Sequence, residues 1–236
     1  MLTSSDSSRF LEKLEAIQVS RSFRKIDSYY PKTGPPRREL YPKQMDFFRA
    51  GIEHRERLLL AANRVGKTEG VGAYEITLHA TGVYPEWWPG YRFDRPVKVW
   101  ACGDTAKTVR DIIQEKTIGP KESSGTGMFP GHSIVHTVPK AGVPDAIEIA
   151  YLRHAPTGKN SVINFKSYDQ GRRSFQGTEQ DIIWLDEEPP LDIYTECLLR
   201  TMDTGKGAGL LLCTFTPIQG LTELVLEFLP GGKAPE

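Results

Sequence analysis

Lys67 and Thr68 close the loop Ala61-Ala62-Asn63-Arg64-Val65-Gly66-Lys67-Thr68, which follows the apolar run Leu58-Leu59-Leu60. An amine and a hydroxyl at the end of such a loop, with a helix after them, suit a phosphate cradle. Backbone N–H groups line the loop, and the positive end of the helix dipole faces the anion. Lys67 is expected to reach the β- and γ-phosphates of a nucleoside triphosphate, and the Thr68 hydroxyl to hold Mg²⁺. Ala62, Asn63, Arg64, Val65 and Gly66 supply the rest of the cradle. The loop departs from G-x-x-x-x-G-K-[ST] at its first position, where Ala61 replaces glycine. That replacement requires residue 61 to avoid positive φ.

A second constellation lies far downstream. Asp181-Ile182-Ile183-Trp184-Leu185-Asp186-Glu187-Glu188 is an apolar run ending in carboxylates. It is too short for an ordinary helix and rich in β-branched and aromatic residues, so it reads as a buried parallel strand. Its carboxyl end falls where open α/β sheets bind ligands. Asp186 is expected to hold Mg²⁺, directly or through water, and Glu187 to polarise the attacking water as a general base. Glu188 is expected to pair or cap at the turn before Pro189-Pro190. The paired acid favours water activation, hence nucleotide hydrolysis, over phosphoryl transfer to a small molecule. Gly158-Lys159-Asn160 and Gly205-Lys206-Gly207 also contain Gly-Lys, but they lack the hydroxyl and the preceding apolar strand and read as loops.

The elements that must position these groups follow from periodicity. Ser4 to about Arg24 predicts an amphipathic helix, and Tyr29 to Arg38 an extended connector. Tyr41-Pro42-Lys43-Gln44 opens a helix with proline at an early position. Arg57 to Ala61 and Val97 to Cys102 read as core strands, each followed by a helix (Thr68 to about His79; Thr105 to Gln114). The aromatic loop from Gly82 to Pro96, with Trp87 and Trp88, is expected to pack over the core. Lys121 to Val143 is poorly patterned. Ala146 to Leu152 and Val162 to Tyr168 alternate and predict an antiparallel hairpin. Ile193 to Met202 reads as a helix, Leu210 to Thr216 as a buried strand, and Leu221 to Phe228 as a last helix before a Gly/Pro-rich tail. The sum is an α/β fold: a mainly parallel central sheet flanked by helices, with an added antiparallel hairpin.

Composition sets the outer bounds. The 236 residues are 39% hydrophobic and 25% charged, with 30 basic and 30 acidic side chains. That is ordinary globular composition, and a zero net charge leaves room for a local basic stripe. Cys102, Cys197 and Cys213 are widely spaced with no C-x-x-C pair, which fits a reduced, cytosolic setting. His132 and His136 have no nearby third ligand, and Pro130-Gly131 breaks any helix there, so no metal site is expected on them. No apolar run of about 18 residues is present, so the chain is expected to be soluble, not secreted and free of membrane.

Five segments in one order resemble the ATPase domain of the large terminase subunit of tailed bacteriophages. They are Tyr41-Pro42-Lys43-Gln44, Ala62 to Thr68, Ser174-Phe175-Gln176-Gly177, Ile183 to Pro189 and Thr214-Phe215-Thr216-Pro217, spanning about Tyr41 to Gly220. The resemblance implies a P-loop NTPase of the RecA/ASCE type that uses ATP and Mg²⁺ to pump double-stranded DNA into a procapsid. Such a motor works as a homo-oligomeric ring on the portal protein, with the small terminase subunit as a further partner, in the host cytoplasm. By the same resemblance Gln44 reads the adenine, and Thr214 and Thr216 couple hydrolysis to movement. Arg64, Arg172 and Arg173 are the candidates for the arginine that neutralises transition-state charge. The implied organisation is an N-terminal helix and connector (1–40), an ATPase core (41–220), and a C-terminal helix and tail (221–236) serving as lid or linker. Large terminases usually continue into a nuclease domain for which this chain has no room, so no DNA cleavage is expected from these residues. Two other readings are a helicase-like nucleic-acid-dependent ATPase, which would need a second RecA-like domain, and an ATP-binding assembly adaptor without turnover.

Overall fold

Period-two burial lets one sheet carry a core on each face. The computed structural model describes residues 24–35, 37–202, 207, 209–218 and 220–229. The helix expected over Ser4 to about Arg24, the C-terminal tail and most of Gly205-Lys206-Gly207 lie outside these residues. Seven strands are β1 (Glu56–Leu60), β2 (Lys98–Gly103), β3 (Ile134–Pro139), β4 (Ile147–Arg153), β5 (Asn160–Ser167), β6 (Ile182–Asp186) and β7 (Leu210–Phe215). They form one sheet in the order β1-β7-β6-β2-β5-β4-β3. The first five strands in that order run parallel, while β4 is antiparallel to both β5 and β3.

The helices cover both faces. Helix α1 (Pro42–Ala50) precedes β1, and a π-helical stretch (Lys67–Ala73) follows the loop and runs directly into α2 (Tyr74–Thr81). After β2, α3 (Ala106–Thr108), a second π-helical stretch (Val109–Gln114) and α4 (Glu115–Thr117) form one continuous segment. Helices α5 (Leu191–Arg200) and α6 (Glu223–Glu227) flank β7 in sequence. Ile182, Trp184 and Leu212 join the core beneath Val71 and Ile76, whereas Ile183, Leu185 and Cys213 join the core beneath α5 and α6. Strands β6 and β7 are therefore buried along their whole length, as a strand covered on both faces must be.

Most expected elements are present within a residue or two, including the β4–β5 hairpin with Gly158 at φ 67° in its turn. Two segments differ. The stretch read as poorly patterned contains β3, an edge strand made by pairing with β4. The connector expected to be extended instead enters the core: Tyr30 is buried, and its hydroxyl donates to the Gly70 carbonyl at 2.7 Å. Around it Tyr74, Phe48, Trp87 and Trp88 make edge and tilted ring contacts, so the aromatic loop packs over the core. A buried ion pair ties β1 to α2: Arg57 meets Glu75 at 2.7 Å and also donates to the Phe47 carbonyl of α1. Burial pulls the Glu75 carboxyl upward, but Arg57 and His79 outweigh it and hold the group below its ordinary range.

One close approach governs how the helical segment after the loop sits on the sheet. A Cβ on Gly72 would lie 2.0 Å from Cε2 of Trp184. The indole is fixed by its own hydrogen bond to Thr214 at 2.7 Å, so it has nowhere to retreat. Gly72→Ala is expected to destabilise the chain by about 3 kcal/mol, the upper end for overpacking a core. Urea melts of the two proteins check this; an unchanged midpoint would contradict it.

Candidate nucleotide site

Strand order brings the two constellations together. Strand β1 delivers the loop and β6 delivers Asp186, with β7 alone between them. The register pairs Leu60 with Phe215 and Asp186 with Thr214, so Thr214 and Thr216 flank both. All these groups gather at the carboxyl ends of parallel strands.

Within the loop, positive φ falls on Arg64 (64°) and Gly66 (84°) and not on Ala61, which explains why alanine serves at the first position. Lys67 is buried, and its ammonium donates to the Ala62 carbonyl at 3.1 Å and to Thr216 Oγ1 at 2.7 Å. Thr216 Oγ1 also lies 3.0 Å from the Ala61 carbonyl and 2.9 Å from Asn63 Oδ1. Thr68 Oγ1 sits 3.1 and 3.0 Å from the two carboxylate oxygens of Asp186.

Asp186 is the electrostatic centre of the site. Burial drives its carboxyl up to about 7, with Glu187 adding to the rise and hydrogen bonds from Thr214 and Thr68 opposing it. Thr214 donates to Asp186 Oδ1 at 2.8 Å and accepts from the Trp184 indole at 2.7 Å, so both hydroxyl roles are filled by side chains. A nearly fully buried carboxylate beside a threonine hydroxyl is a hard oxygen donor set lacking a full compensating cation, and it fits Mg²⁺.

Glu187 follows in an unusual backbone state. Its φ is 64°, a left-handed conformation that costs a non-glycine residue about 1–3 kcal/mol. Its N–H donates to the Thr214 carbonyl at 3.1 Å, and the Tyr168 hydroxyl lies 3.1 Å from the carbonyls of both Asp186 and Glu187. Glu188 takes a hydrogen bond from Thr222, the residue that caps α6.

The remaining candidates lie apart from this cluster. Arg64 is exposed on the loop. Arg172 points its guanidinium at the buried carboxylate of Glu196 on α5, 3.0 Å away, and that carboxylate also takes Arg200. Arg173 is exposed, and Gln44 is half-buried on α1. Neither Arg173 nor Gln44 is hydrogen-bonded to the loop among the described residues. Trp184 and Tyr168 were absent from the candidates read in the sequence. Period-two alternation places Trp184 on the same face as Asp186 and could have flagged it, whereas Tyr168 carries no local signal.

Comparison with known proteins agrees with this architecture. The family model described as terminase large subunit, T4likevirus-type, N-terminal, matches residues 58–234. The large terminase subunit of Salmonella phage P22 is 32% identical over 238 aligned residues, covering 93% of this chain and 46% of that protein. The chain thus spans about half the length of this relative. The large terminase ATPase domain of Thermus phage P74-26 superposes with a TM-score of 0.50 at 19% identity, covering 78% of this chain and 67% of that one. At that identity the likeness concerns the fold, a P-loop α/β architecture. With a family match over most of its length, the chain belongs to the terminase large subunit family.

Proposed function

We propose that this chain is the ATP-hydrolysing motor part of a DNA-packaging terminase, coupling hydrolysis to translocation of double-stranded DNA into a procapsid. The observation that carries the reading is the convergence of Lys67, Thr68 and Asp186 with Thr214 of β7 and Thr216 just beyond it at one sheet edge. The backbone amides of residues 62–66 and the Lys67 ammonium bind the polyphosphate of ATP. Thr68 and Asp186 hold Mg²⁺, which when bound neutralises charge on the phosphate oxygens. Glu187 orients the attacking water and accepts its proton. Gln44 contacts the adenine. Arg64 on the loop is the candidate to neutralise transition-state charge from within; exposed Arg173 suits a neighbouring subunit, and Arg172 would first have to leave Glu196.

The contacts also suggest how occupancy reaches the sheet. The Lys67 amine docks on Thr216, and turning to a phosphate removes one of the partners of the hydroxyl just past the end of β7, leaving it the Ala61 carbonyl and Asn63. Thr214 meets Asp186 directly, and these contacts support the reading in which both threonines sense nucleotide. Family membership supports the remaining features of the reading: a ring on the portal protein, a small terminase subunit as partner, and work in the host cytoplasm where procapsids fill.

Steady-state ATP hydrolysis with and without double-stranded DNA, over a range of protein concentrations, tests this. Turnover stimulated by duplex DNA, with a rate per subunit that rises on assembly, is expected. ATP binding without turnover under every condition would leave an assembly adaptor instead, and stimulation by single strands alone would favour a helicase-like enzyme.

A further inference from the structure

We infer that Tyr168 is a positioning residue for hydrolysis, holding Glu187 in its left-handed backbone state through the hydrogen bond from its phenol to the flanking carbonyls. The inference rests on the reading of Glu187 as the general base. Tyr168 follows directly on β5, two strands away from β6 in the sheet, and its ring is buried against Phe175. Its hydroxyl reaches under the end of β6, 3.1 Å from both the Asp186 and the Glu187 carbonyl oxygens. The single phenolic proton is shared between them.

The need for such a clamp follows from what else holds Glu187. Its φ of 64° is a state that a glutamate leaves readily unless its neighbours over-determine it. The N–H is fixed by the Thr214 carbonyl at 3.1 Å, and the carbonyl is fixed by Tyr168. The carboxylate accepts no hydrogen bond from a described residue, so the backbone state, which sets where the Cα–Cβ bond points, decides which region the side chain can reach. The same phenol touches the Asp186 carbonyl, which ties the direction of the base to the residue proposed to hold Mg²⁺. A base must stand within hydrogen-bond reach of the water it activates, and a peptide rotated out of this state would carry the carboxylate away.

Tyr168→Phe removes the hydroxyl and keeps the ring. The expected result is an about tenfold lower kcat, the factor that one lost hydrogen bond commands, with ATP affinity unchanged. The deciding measurement is a double-mutant cycle with Glu187→Gln, read as single-turnover hydrolysis per bound nucleotide so that any loss of folded protein does not enter. In the Glu187→Gln background, adding Tyr168→Phe should change the residual rate little, because placement of the base no longer matters. Equal losses in both backgrounds, or wild-type turnover by Tyr168→Phe beside an inactive Glu187→Gln, would overturn the inference. Wild-type turnover by Glu187→Gln would instead overturn the assignment of the base.

Discussion

Glu187→Gln is expected to bind ATP as the parent chain does and to hydrolyse it about 10²–10⁴-fold more slowly, the range spanned by loss of a positioned general base. The amide is isosteric and can still touch the water, but it cannot take the proton. The proposed phosphate contacts are expected to persist, because the side chain makes no hydrogen bond or ion pair with Lys67 or Thr68 among the described residues. Lys67→Ala should behave differently. It removes the charge proposed to face the phosphates, so nucleotide affinity itself is expected to fall. Equilibrium nucleotide titration paired with single-turnover hydrolysis separates the two variants. Turnover retained by Glu187→Gln would pass the role of base to Glu188, whose carboxylate already accepts a hydrogen bond from Thr222.

Asp186→Asn should move stability and activity in opposite directions. The carboxyl of Asp186 keeps its proton up to about pH 7, whereas an unfolded chain releases it near the ordinary aspartate value of about 4. A raised folded value means that the native state binds the extra proton between those limits. The contribution is therefore complete below about pH 4 and is lost as pH rises through about 7. Asparagine carries no such titration. In the absence of Mg²⁺ and nucleotide, the variant should gain on the parent between pH 4 and pH 8 by up to about 4 kcal/mol. Its ATP hydrolysis should meanwhile collapse, since the oxygen proposed to hold Mg²⁺ is gone. Urea titrations of both proteins at the two pH values check the first half; identical pH dependence would show that the native carboxyl titrates normally.

The parts of the site that could be read from the amino-acid sequence are those whose cause is local. Gly66-Lys67-Thr68 after an apolar run specifies a strand, a loop and a helix through turn chemistry and periodicity within a dozen or so residues. Ile182 to Asp186 likewise declares itself as a strand buried on both faces. Thr214 and Thr216 were reachable only through the order of segments along the chain. What escaped depends on contacts between distant segments. Strand β3 has no alternation of its own and exists because β4 offers it an edge. Arg57 looks like a solvated strand residue until Glu75 and the Phe47 carbonyl enclose it. The positive φ of Glu187 is imposed by hydrogen bonds from Tyr168 and to Thr214, neither of which is near it in sequence.

The placement of Trp184 has a mechanical corollary. Its indole is wedged against Gly72 above and latched to Thr214 beside it, with Asp186 two residues further along the same strand. The helical segment after the loop consequently cannot be pressed closer to the sheet, and the floor of the site behaves as an anvil. In the motor proposed above, displacement on hydrolysis is then expected through the loop and the strand ends and not by compression of the layers.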